Sequence, residues 1–319
     1  MIKTRIAPTP SGFLHLGNVL SFSLTAGMAA KMNAGIVLRI DDLDRERVRK
    51  RYVQDIFDTL EYLEIPWHEG PANFGEYQRE HSQFHRLDLY REALRQLTEN
   101  DQVFACDCSR SEVLEKSGDG SYPGTCRHRG TSCEAKNVSW RLRTIPDAIM
   151  EVNTLDGGCM TARLPAHMQE FIVRRKNGLP SYQLASMVDD QHYGINLIVR
   201  GEDLWDSTLA QLSLASALEP RASFIQHQTS IARTLASGAS SEKEQNFRNA
   251  VFFHHQLLKG PQGKKLSKST GTAPNASISV QYLRKQGKKP EEIYSLIGSM
   301  LQLREPVRNW QSLAAAVIA

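Results

Sequence analysis

The sequence predicts an α/β fold in which a doubly wound, Rossmann-like parallel sheet is split by an inserted α+β subdomain and followed by a small helical region. Three observations support this prediction. Apolar runs at residues 2–7 and 36–40 are typical of buried strands, and a helix of small and apolar residues separates them at residues 15–33. The alternation stops at residues 103–133, which are rich in Cys, Gly and His, and it resumes at residues 182–218.

The remaining elements follow from the spacing of apolar residues. One face of a second helix is formed by Val53, Ile56, Phe57, Leu60 and Leu63. Further helices are expected at residues 77–97, 182–190, 204–218, 278–286, 290–303 and 310–318, and further strands at residues 138–143, 171–175 and 195–200. Residues 234–246 are rich in Ser, Gly, Ala and Glu, which predicts a flexible loop.

The composition excludes several classes of protein. Of the 319 residues, 40% are hydrophobic and 23% are charged, which is typical of a globular chain and not of a disordered or fibrous one. No apolar run reaches the roughly 18 residues that cross a bilayer, and the N-terminus begins with a strand instead of an export signal. We therefore expect a cytoplasmic protein without membrane contact.

The basic residues are clustered, although the net charge is only +4. The clusters lie at residues 45–51, 127–129, 174–176, 264–268 and 284–289. A single cluster of this kind is usually a solvated surface, but five of them favour the hypothesis that the partner is an RNA.

Two distant segments predict the two halves of an ATP site. His15-Leu16-Gly17-Asn18 opens the first helix directly after a strand and a Pro/Gly turn, where backbone N–H groups and the helix dipole favour a phosphate chain. The second segment, residues 264–269, carries Lys264, Lys265 and Lys268, which suit a leaving pyrophosphate. Two alternatives are structural: His15 only caps the helix, and Gly17 only permits close helix packing instead of close approach of the nucleotide.

The cysteines predict a metal site. Their number is odd and they are bunched, which in a cytosolic chain favours a metal over disulfides. Cys106, Cys108 and Cys126 have a spacing that allows three thiolates to bind one tetrahedral Zn²⁺, and one N or O ligand closes the shell. His128 is a candidate for that ligand because imidazole is a commoner zinc ligand than phenol. The metal is expected to be structural, and the alternative is a group of buried cysteines without a metal.

Several separated motifs resemble the class I aminoacyl-tRNA synthetases, and within them the glutamyl type. The opening motif is R-I-A-P-T-P-S-G at residues 5–12, and R-I-D-D-L-D-R-E-R at residues 39–47 resembles R-I-E-D-T-D-R-x-R of that family. H-L-G-N at residues 15–18 is similar to the "HIGH" element and K-L-S-K-S at residues 265–269 to the "KMSKS" element. The second half of the family pattern is represented by S-Y-Q-L-A at residues 181–185, V-D-D at 188–190 and I-V-R-G-E-D-L at 198–204.

The resemblance narrows to a truncated branch of that family. The chain stops near the point where a glutamyl-tRNA synthetase would begin its anticodon-binding domain, as in the paralogues called glutamyl-Q tRNA(Asp) synthetases. The cysteine spacing supports this branch, in which Tyr122 is implied as the fourth zinc ligand. These enzymes attach glutamate to the queuosine base of tRNA(Asp), so the implied partners are ATP with Mg²⁺, L-glutamate and a tRNA. A monomer is expected.

The resemblance also implies roles for individual residues. The predicted catalytic residues are His15, Gly17, Asn18, Lys265 and Lys268, of which His15, Gly17 and Lys268 contact ATP. The predicted glutamate-binding residues are Arg5, Ala7, Thr9, Asp41, Tyr182 and Arg200, with the arginines for carboxylate and Asp41 for the ammonium group. Two residues depart from the family pattern, because Asp41 stands where Glu is usual and Thr9 where Ser is frequent.

The sequence also predicts how the chain is divided into domains. Residues 1–103 and 181–232 are expected to form the two halves of the catalytic nucleotide-binding domain, residues 104–180 the inserted zinc- and acceptor-binding subdomain, and residues 233–319 the flexible loop, the K-L-S-K-S loop and the C-terminal helices. The enzymatic alternative is a compact glutamyl-tRNA synthetase that charges a tRNA 3′ end. The other alternative is a non-catalytic, RNA-binding relative.

Overall fold

The computed structural model describes residues 1–219, 246–258 and 279–318. The helices are α1 (Leu16–Met32), α2 (Lys50–Tyr62), α3 (Phe74–Glu76), α4 (Leu87–Glu99), α5 (Arg110–Ser117), α6 (Tyr182–His192), α7 (Trp205–Leu218), α8 (Val280–Lys285), α9 (Pro290–Met300) and α10 (Trp310–Ile318). The strands are β1 (Lys3–Ile6), β2 (Gly35–Leu38), β3 (Val103–Cys106), β4 (Ser139–Leu142), β5 (Ile149–Thr154), β6 (Cys159–Arg163), β7 (Ile172–Arg174), β8 (Leu197–Gly201) and β9 (Val251–His255). None of the helices in these ranges is long and apolar enough to cross a lipid bilayer.

The chain forms two compact units, each made of segments that are distant in the sequence. The first contains Met1–Arg86, Ile195–Asp203 and Phe252–Ala319, and the second contains Leu87–Gly194 and Leu204–Val251. In the sequence, the segments of the two units therefore alternate.

The first unit begins with the predicted βαβ arrangement. β1 and β2 are parallel, with Lys3 opposite Gly35 and Ile6 opposite Leu38. Helix α1 connects the two strands, because parallel neighbours need a crossover. β8 begins beside β1, where the Asn196 backbone N–H donates to the Lys3 carbonyl at 3.1 Å. β8 and β9 are hydrogen-bonded neighbours. The predicted parallel α/β arrangement is thus present around β1.

Helix α1 packs closely against the last helix of the chain, α10. A Cβ atom placed on Gly27 would lie 2.1 Å from the Cβ of Ala314, so the two helices touch at a position where α1 has no side chain. Glycine inside a helix is unfavourable by about 1 kcal/mol relative to alanine, and here the close approach of α10 explains its presence.

The prediction of one helix over residues 77–97 is wrong. A π-helical turn at Tyr77–His81 and a 3₁₀ turn at Gln83–Arg86 precede α4, and Ser82 between them is extended, with ψ at 142°. The Asp42 carboxylate causes this break, because it accepts hydrogen bonds from the hydroxyls of Ser82 at 2.5 Å and Tyr77 at 2.7 Å and from the Gln83 N–H at 2.8 Å. Side chains that bond locally in this way compete with the helical hydrogen bonds.

The second unit contains the insert, which is antiparallel. β3 pairs with β4, with Val103 opposite Leu142 and Cys106 opposite Ser139, and β4 pairs with β7 on its other side. The strands predicted at residues 138–143 and 171–175 are confirmed as β4 and β7. The antiparallel hairpin of β5 and β6 was not predicted, because most of its side chains are at least partly exposed and give no apolar pattern.

Candidate functional site

His15 is the N-cap residue of α1 and forms a capping box with Asn18. Its ring Nδ1 accepts a hydrogen bond from the Gly17 N–H at 3.1 Å, and its backbone N–H donates to Asn18 Oδ1 at 3.1 Å. Because Nδ1 is the acceptor, the neutral imidazole carries its proton on Nε2. The structural alternative for His15, helix capping, is therefore present, and in this tautomer the donor atom of the ring is Nε2.

Gly17 accommodates the imidazole of His15. A Cβ on Gly17 would lie 2.9 Å from His15 Cε1, which is closer than real Cβ contacts. The sequence predicts that this glycine makes room for the nucleotide, or alternatively for helix packing, and the described structure shows the imidazole of His15 against it. The first and third residues of the H-L-G-N motif thus depend on each other.

The turn that precedes His15 is fixed by two elements of the same unit. The Leu14 N–H donates to Asp55 Oδ2 of α2 at 2.9 Å, and the Leu14 carbonyl accepts from the Val280 N–H of α8 at 2.8 Å. His15 also forms an isolated antiparallel bridge with Ser279. Burial raises the pKa of Asp55 to about 6, against the opposing effects of the Leu14 N–H and Arg284. The start of α1 is consequently held from both sides.

The lysines of the second ATP segment lie outside the described residues. Lys265 and Lys268, with Lys264, belong to residues 259–278. Their expected role at the leaving pyrophosphate stays a prediction from the sequence.

The two arginines predicted to bind glutamate are buried in the first unit. Arg5 lies on β1, where its Nη1 donates to the Val199 carbonyl of β8 at 3.2 Å. Arg200 follows on β8, with its guanidinium carbon 5.6 Å from the centroid of the Phe252 ring. The exposed fractions of Arg5 and Arg200 are 6% and 3%. Two neighbouring strands therefore place two buried cations in one part of the unit.

Three other predicted glutamate-binding residues meet at the carboxyl edge of β1 and β2. The Asp41 N–H donates to the Pro8 carbonyl at 3.0 Å, and Pro8 lies between Ala7 and Thr9 in the chain. The loops that follow parallel strands meet in this way, which is the usual ligand position in such sheets. The Asp41 carboxylate also pairs with the Arg39 guanidinium through two contacts, at 2.7 and 3.1 Å, and this buried ion pair was not predicted.

Tyr182, the remaining predicted glutamate-binding residue, belongs to the second unit. It is the first residue of α6, directly after the N-cap residue Ser181, and 40% of its surface is exposed. An exposed aromatic ring at a helix start has a face to offer to a ligand.

His254, on β9, was not predicted as a site residue, and it lies close enough to Arg200 to feel its charge. Burial, together with the charge of Arg200, lowers the pKa of His254 to about 4, so its imidazole is neutral at physiological pH. Its ring is parallel to that of Phe252, with centroids 6.1 Å apart. Phe252 and His254 are two residues apart on β9 and therefore lie on the same face of the strand. This period-two spacing is the sequence signal that could have identified the pair.

The three cysteines with the predicted metal-ligand spacing lie together in the second unit. The sulfur atoms of Cys106, Cys108 and Cys126 are all within 4.8 Å of one another, and those of Cys108 and Cys126 are 3.5 Å apart. Thiolates bound to one tetrahedral zinc at about 2.3 Å lie roughly 3.8 Å apart, so the donor set fits this ion. Cys133 and Cys159 are free cysteines outside the cluster.

The Tyr122 hydroxyl lies at the cysteine cluster. Its oxygen accepts from the Cys126 N–H at 2.8 Å, and burial raises the pKa of Tyr122, as do its hydrogen bonds with Cys106 and Cys126. Burial also opposes ionisation of Cys106, but hydrogen bonds from Tyr122 and Arg141 outweigh it and lower the pKa of Cys106 to about 7. His128 is exposed and is not part of the cluster. Of the two candidates for the fourth ligand, the structure brings Tyr122 to the sulfur atoms.

Comparison with known proteins identifies the family. Residues 1–251 match a family model described as tRNA synthetases class I (E and Q), catalytic domain. The chain is 31% identical to a glutamyl-Q tRNA(Asp) synthetase of Symbiobacterium thermophilum, over 97% of this chain and 90% of that protein. It is 30% identical to glutamate–tRNA ligase 2 of Syntrophus aciditrophicus, over 94% of this chain but only 58% of that ligase, so it spans less than two thirds of that relative.

A solved structure supports the same assignment at the level of the fold. The glutamate–tRNA synthetase of Elizabethkingia anophelis superimposes with a TM-score of 0.70, covering 99% of this chain and 65% of that one at 21% identity. The predicted α/β synthetase fold is thereby confirmed. The capped H-L-G-N turn and the buried arginines agree with the match to the family model over residues 1–251. The chain belongs to the class I tRNA synthetases of the glutamyl and glutaminyl type.

Proposed function

We propose that this chain activates L-glutamate with ATP and transfers the glutamyl group to the queuosine base of a tRNA(Asp). An oxygen of the glutamate α-carboxylate attacks the α-phosphorus, the bond to pyrophosphate breaks, and glutamyl-adenylate forms. A hydroxyl of the queuosine cyclopentenediol then attacks the carbonyl carbon and AMP leaves. Relatives that carry the name glutamyl-Q tRNA(Asp) synthetase, at 31% and 33% identity, support this choice of acceptor.

The observation that carries the proposal is the capping geometry of His15. Negative charge accumulates on the phosphates as the adenylate forms, so the site needs positioned donors more than a general base. His15 donates from Nε2 because Nδ1 is engaged by Gly17, and Asn18 retains its NH₂ group as a donor because Oδ1 is engaged by the His15 N–H. The helix start adds its own N–H groups. Lys265 and Lys268 are proposed to meet the leaving pyrophosphate, with Mg²⁺ held chiefly by phosphate oxygens.

We assign glutamate recognition to the buried arginines. A guanidinium binds a carboxylate through two hydrogen bonds. Arg5 and Arg200 lie on the neighbouring strands β1 and β8, and Ala7, Thr9 and Asp41 belong to the loops that follow β1 and β2. Asp41 is assigned to the ammonium group, and Tyr182 is kept as a candidate from the resemblance alone. The side-chain amide of glutamine offers a guanidinium neither a negative charge nor two acceptor oxygens, so we expect such a pocket to reject glutamine.

We assign a structural zinc ion to Cys106, Cys108, Cys126 and Tyr122. When bound, it would cross-link β3 to the loop that contains Tyr122 and stabilise the insert. The reaction itself does not pass through this metal.

Pyrophosphate exchange tests the activation step. The protein is incubated with ATP, labelled pyrophosphate and one amino acid, without tRNA. We expect label to enter ATP with glutamate and not with glutamine or aspartate. Exchange driven only by aspartate or glutamine would contradict the assigned pocket, and absence of exchange with every amino acid would favour a non-catalytic RNA-binding relative.

The acceptor is tested by locating the glutamyl label on tRNA. We expect labelled glutamate on tRNA that contains queuosine and none on the same tRNA without queuosine. A compact glutamyl-tRNA synthetase is the second candidate, because the chain also aligns along 94% of its length with a glutamate–tRNA ligase. A compact glutamyl-tRNA synthetase would attach labelled glutamate to tRNA that lacks queuosine, and periodate oxidation of the 3′ cis-diol would abolish this labelling. We expect the protein to act as a monomer in the cytoplasm.

A further inference from the structure

Arg141 is a buried cation that lies directly on the cysteine cluster. It is part of β4, and only 8% of its surface is exposed. Its guanidinium carbon is 3.6 Å from the centroid of the Tyr122 ring, and the hydroxyl of that ring accepts from the Cys126 N–H at 2.8 Å. Its Nη1 donates to the Glu170 carbonyl at 2.9 Å.

In the part of the chain that the structure describes, Arg141 has no carboxylate as its counter-charge. Among residues 1–219, 246–258 and 279–318, no carboxylate forms an ion pair with Arg141, and its buried Nε has no hydrogen-bond partner. A buried charge is strongly unfavourable unless an opposite charge compensates it. The anionic group within reach is the set of thiols, because three thiolates bound to one divalent zinc ion carry a net charge of about −1.

We infer that Arg141 is a positioning residue of the metal centre, which compensates the negative charge of the zinc–thiolate group and holds the Tyr122 ring against it. This inference depends on the zinc site proposed above, and it is independent of the amino acid and of the tRNA. It explains why an arginine is buried between β3 and β7 in an insert that has few apolar residues, and why a phenol takes the fourth ligand position. The guanidinium lies over the ring face, where a cation is attracted by the aromatic quadrupole.

Arg143 provides the matched control. It lies two residues further along the chain, and its guanidinium is over a neighbouring aromatic ring, 5.3 Å from the centroid of Phe104. Unlike Arg141, it has a carboxylate within reach, since its Nε is 3.6 Å from Asp101 Oδ1. Replacing Arg143 therefore removes a similar side chain without removing the counter-charge of the cluster.

The test measures zinc release from the full chain, purified with its zinc, to a chromogenic chelator. We expect Arg141→Met to release zinc about tenfold faster than the parent or more, as is typical when a residue that orients metal ligands is removed. Arg141→Lys keeps the charge but not the planar stack, and we expect about a threefold increase, whereas Arg143→Met stays within about twofold of the parent. With Co²⁺ in place of zinc, the d–d absorption should shift in Arg141→Met and not in Arg143→Met.

The outcomes separate the inference from the zinc site itself. Equal release from the parent, Arg141→Met and Arg143→Met would overturn the role of Arg141 and leave the zinc site intact. A parent chain without zinc would overturn both. If Arg141→Met does not fold, Arg141→Lys decides, because a release rate equal to the parent's overturns the inference and a faster one supports it.

Discussion

The Asp55 carboxylate accepts a hydrogen bond from the Leu14 N–H at 2.9 Å, which joins the middle of α2 to the residue before His15. This bond holds the turn that leads into α1 by means of a buried acid. The other carboxylate oxygen of Asp55, Oδ1, is buried without a hydrogen-bond partner in the described part of the chain.

Asp55→Asn should stabilise the protein in a pH-dependent manner. The pKa of Asp55 is about 6 in the folded protein and 3.8 as its ordinary value, so the folded state binds the proton more tightly and loses stability as the pH rises between these values. Asparagine cannot ionise, and its Oδ1 still accepts from Leu14. We expect the variant to gain on the order of 3 kcal/mol at pH 8 and almost nothing at pH 4, measured by urea denaturation.

Asp58→Asn is the control for that measurement. Asp58 lies one turn further along α2, is partly exposed and pairs with Arg284 at 3.9 Å. We expect its replacement to change the free energy of unfolding by less than about 1 kcal/mol, as for other surface ion pairs. An Asp55→Asn gain that is equal at both pH values would refute the assignment to the buried acid.

His15→Asn and His15→Ala should separate capping from catalysis. Asparagine is a good N-cap residue and can accept from Gly17, whereas alanine cannot, so only His15→Ala should lose about 1 kcal/mol of stability. Both variants lack the imidazole donor, and we expect pyrophosphate exchange to fall by about 100-fold or more in each. An asparagine variant with the exchange rate of the parent would remove His15 from the list of catalytic residues.

The residues proposed to bind zinc should respond differently from their neighbours when they are replaced. We expect Cys108→Ser and Tyr122→Phe to lower the zinc content of freshly purified protein, while His128→Ala leaves it unchanged because that side chain is exposed and lies apart from the sulfur atoms. Cys133→Ser is the matched thiol control, since Cys133 is a free cysteine outside the cluster. If His128→Ala lost zinc and Tyr122→Phe retained it, the fourth zinc ligand would be His128 and not Tyr122. Metal analysis of each variant gives the answer.

Gly27→Ala should destabilise the contact between α1 and α10. The new Cβ would meet Ala314 at 2.1 Å, and we expect a loss of about 1 to 3 kcal/mol, typical of an overpacked core. Ala314→Gly in the same chain should restore most of it, which a thermal-unfolding double-mutant cycle would show. Gly12→Ala has no neighbour within 4 Å of its added Cβ and serves as the control. If the second substitution gave no recovery, the close contact would not be the cause.

The sequence predicts well those features that depend on local pattern. Buried runs located β1, β2 and β8, and the C-x-C spacing identified Cys106 and Cys108 because both sulfurs must reach one point. Contacts between distant residues leave no such signal. The bond from Ser82 to Asp42 breaks a helix that the spacing favours, and the buried position of Arg141 over Tyr122 follows only from the pairing of β4 with β3.

The hydrogen bond between Leu14 and Val280 also has a consequence for synthesis of the protein. These residues are 266 positions apart in the sequence, so the turn that carries His15 lacks one of its two supports until the segment around Val280 has left the ribosome. Closing such a long loop is entropically unfavourable and slow compared with local contacts. The first segment of the site to be translated is thus among the last to reach its final form, and a prematurely terminated chain would carry the H-L-G-N motif without its complete support.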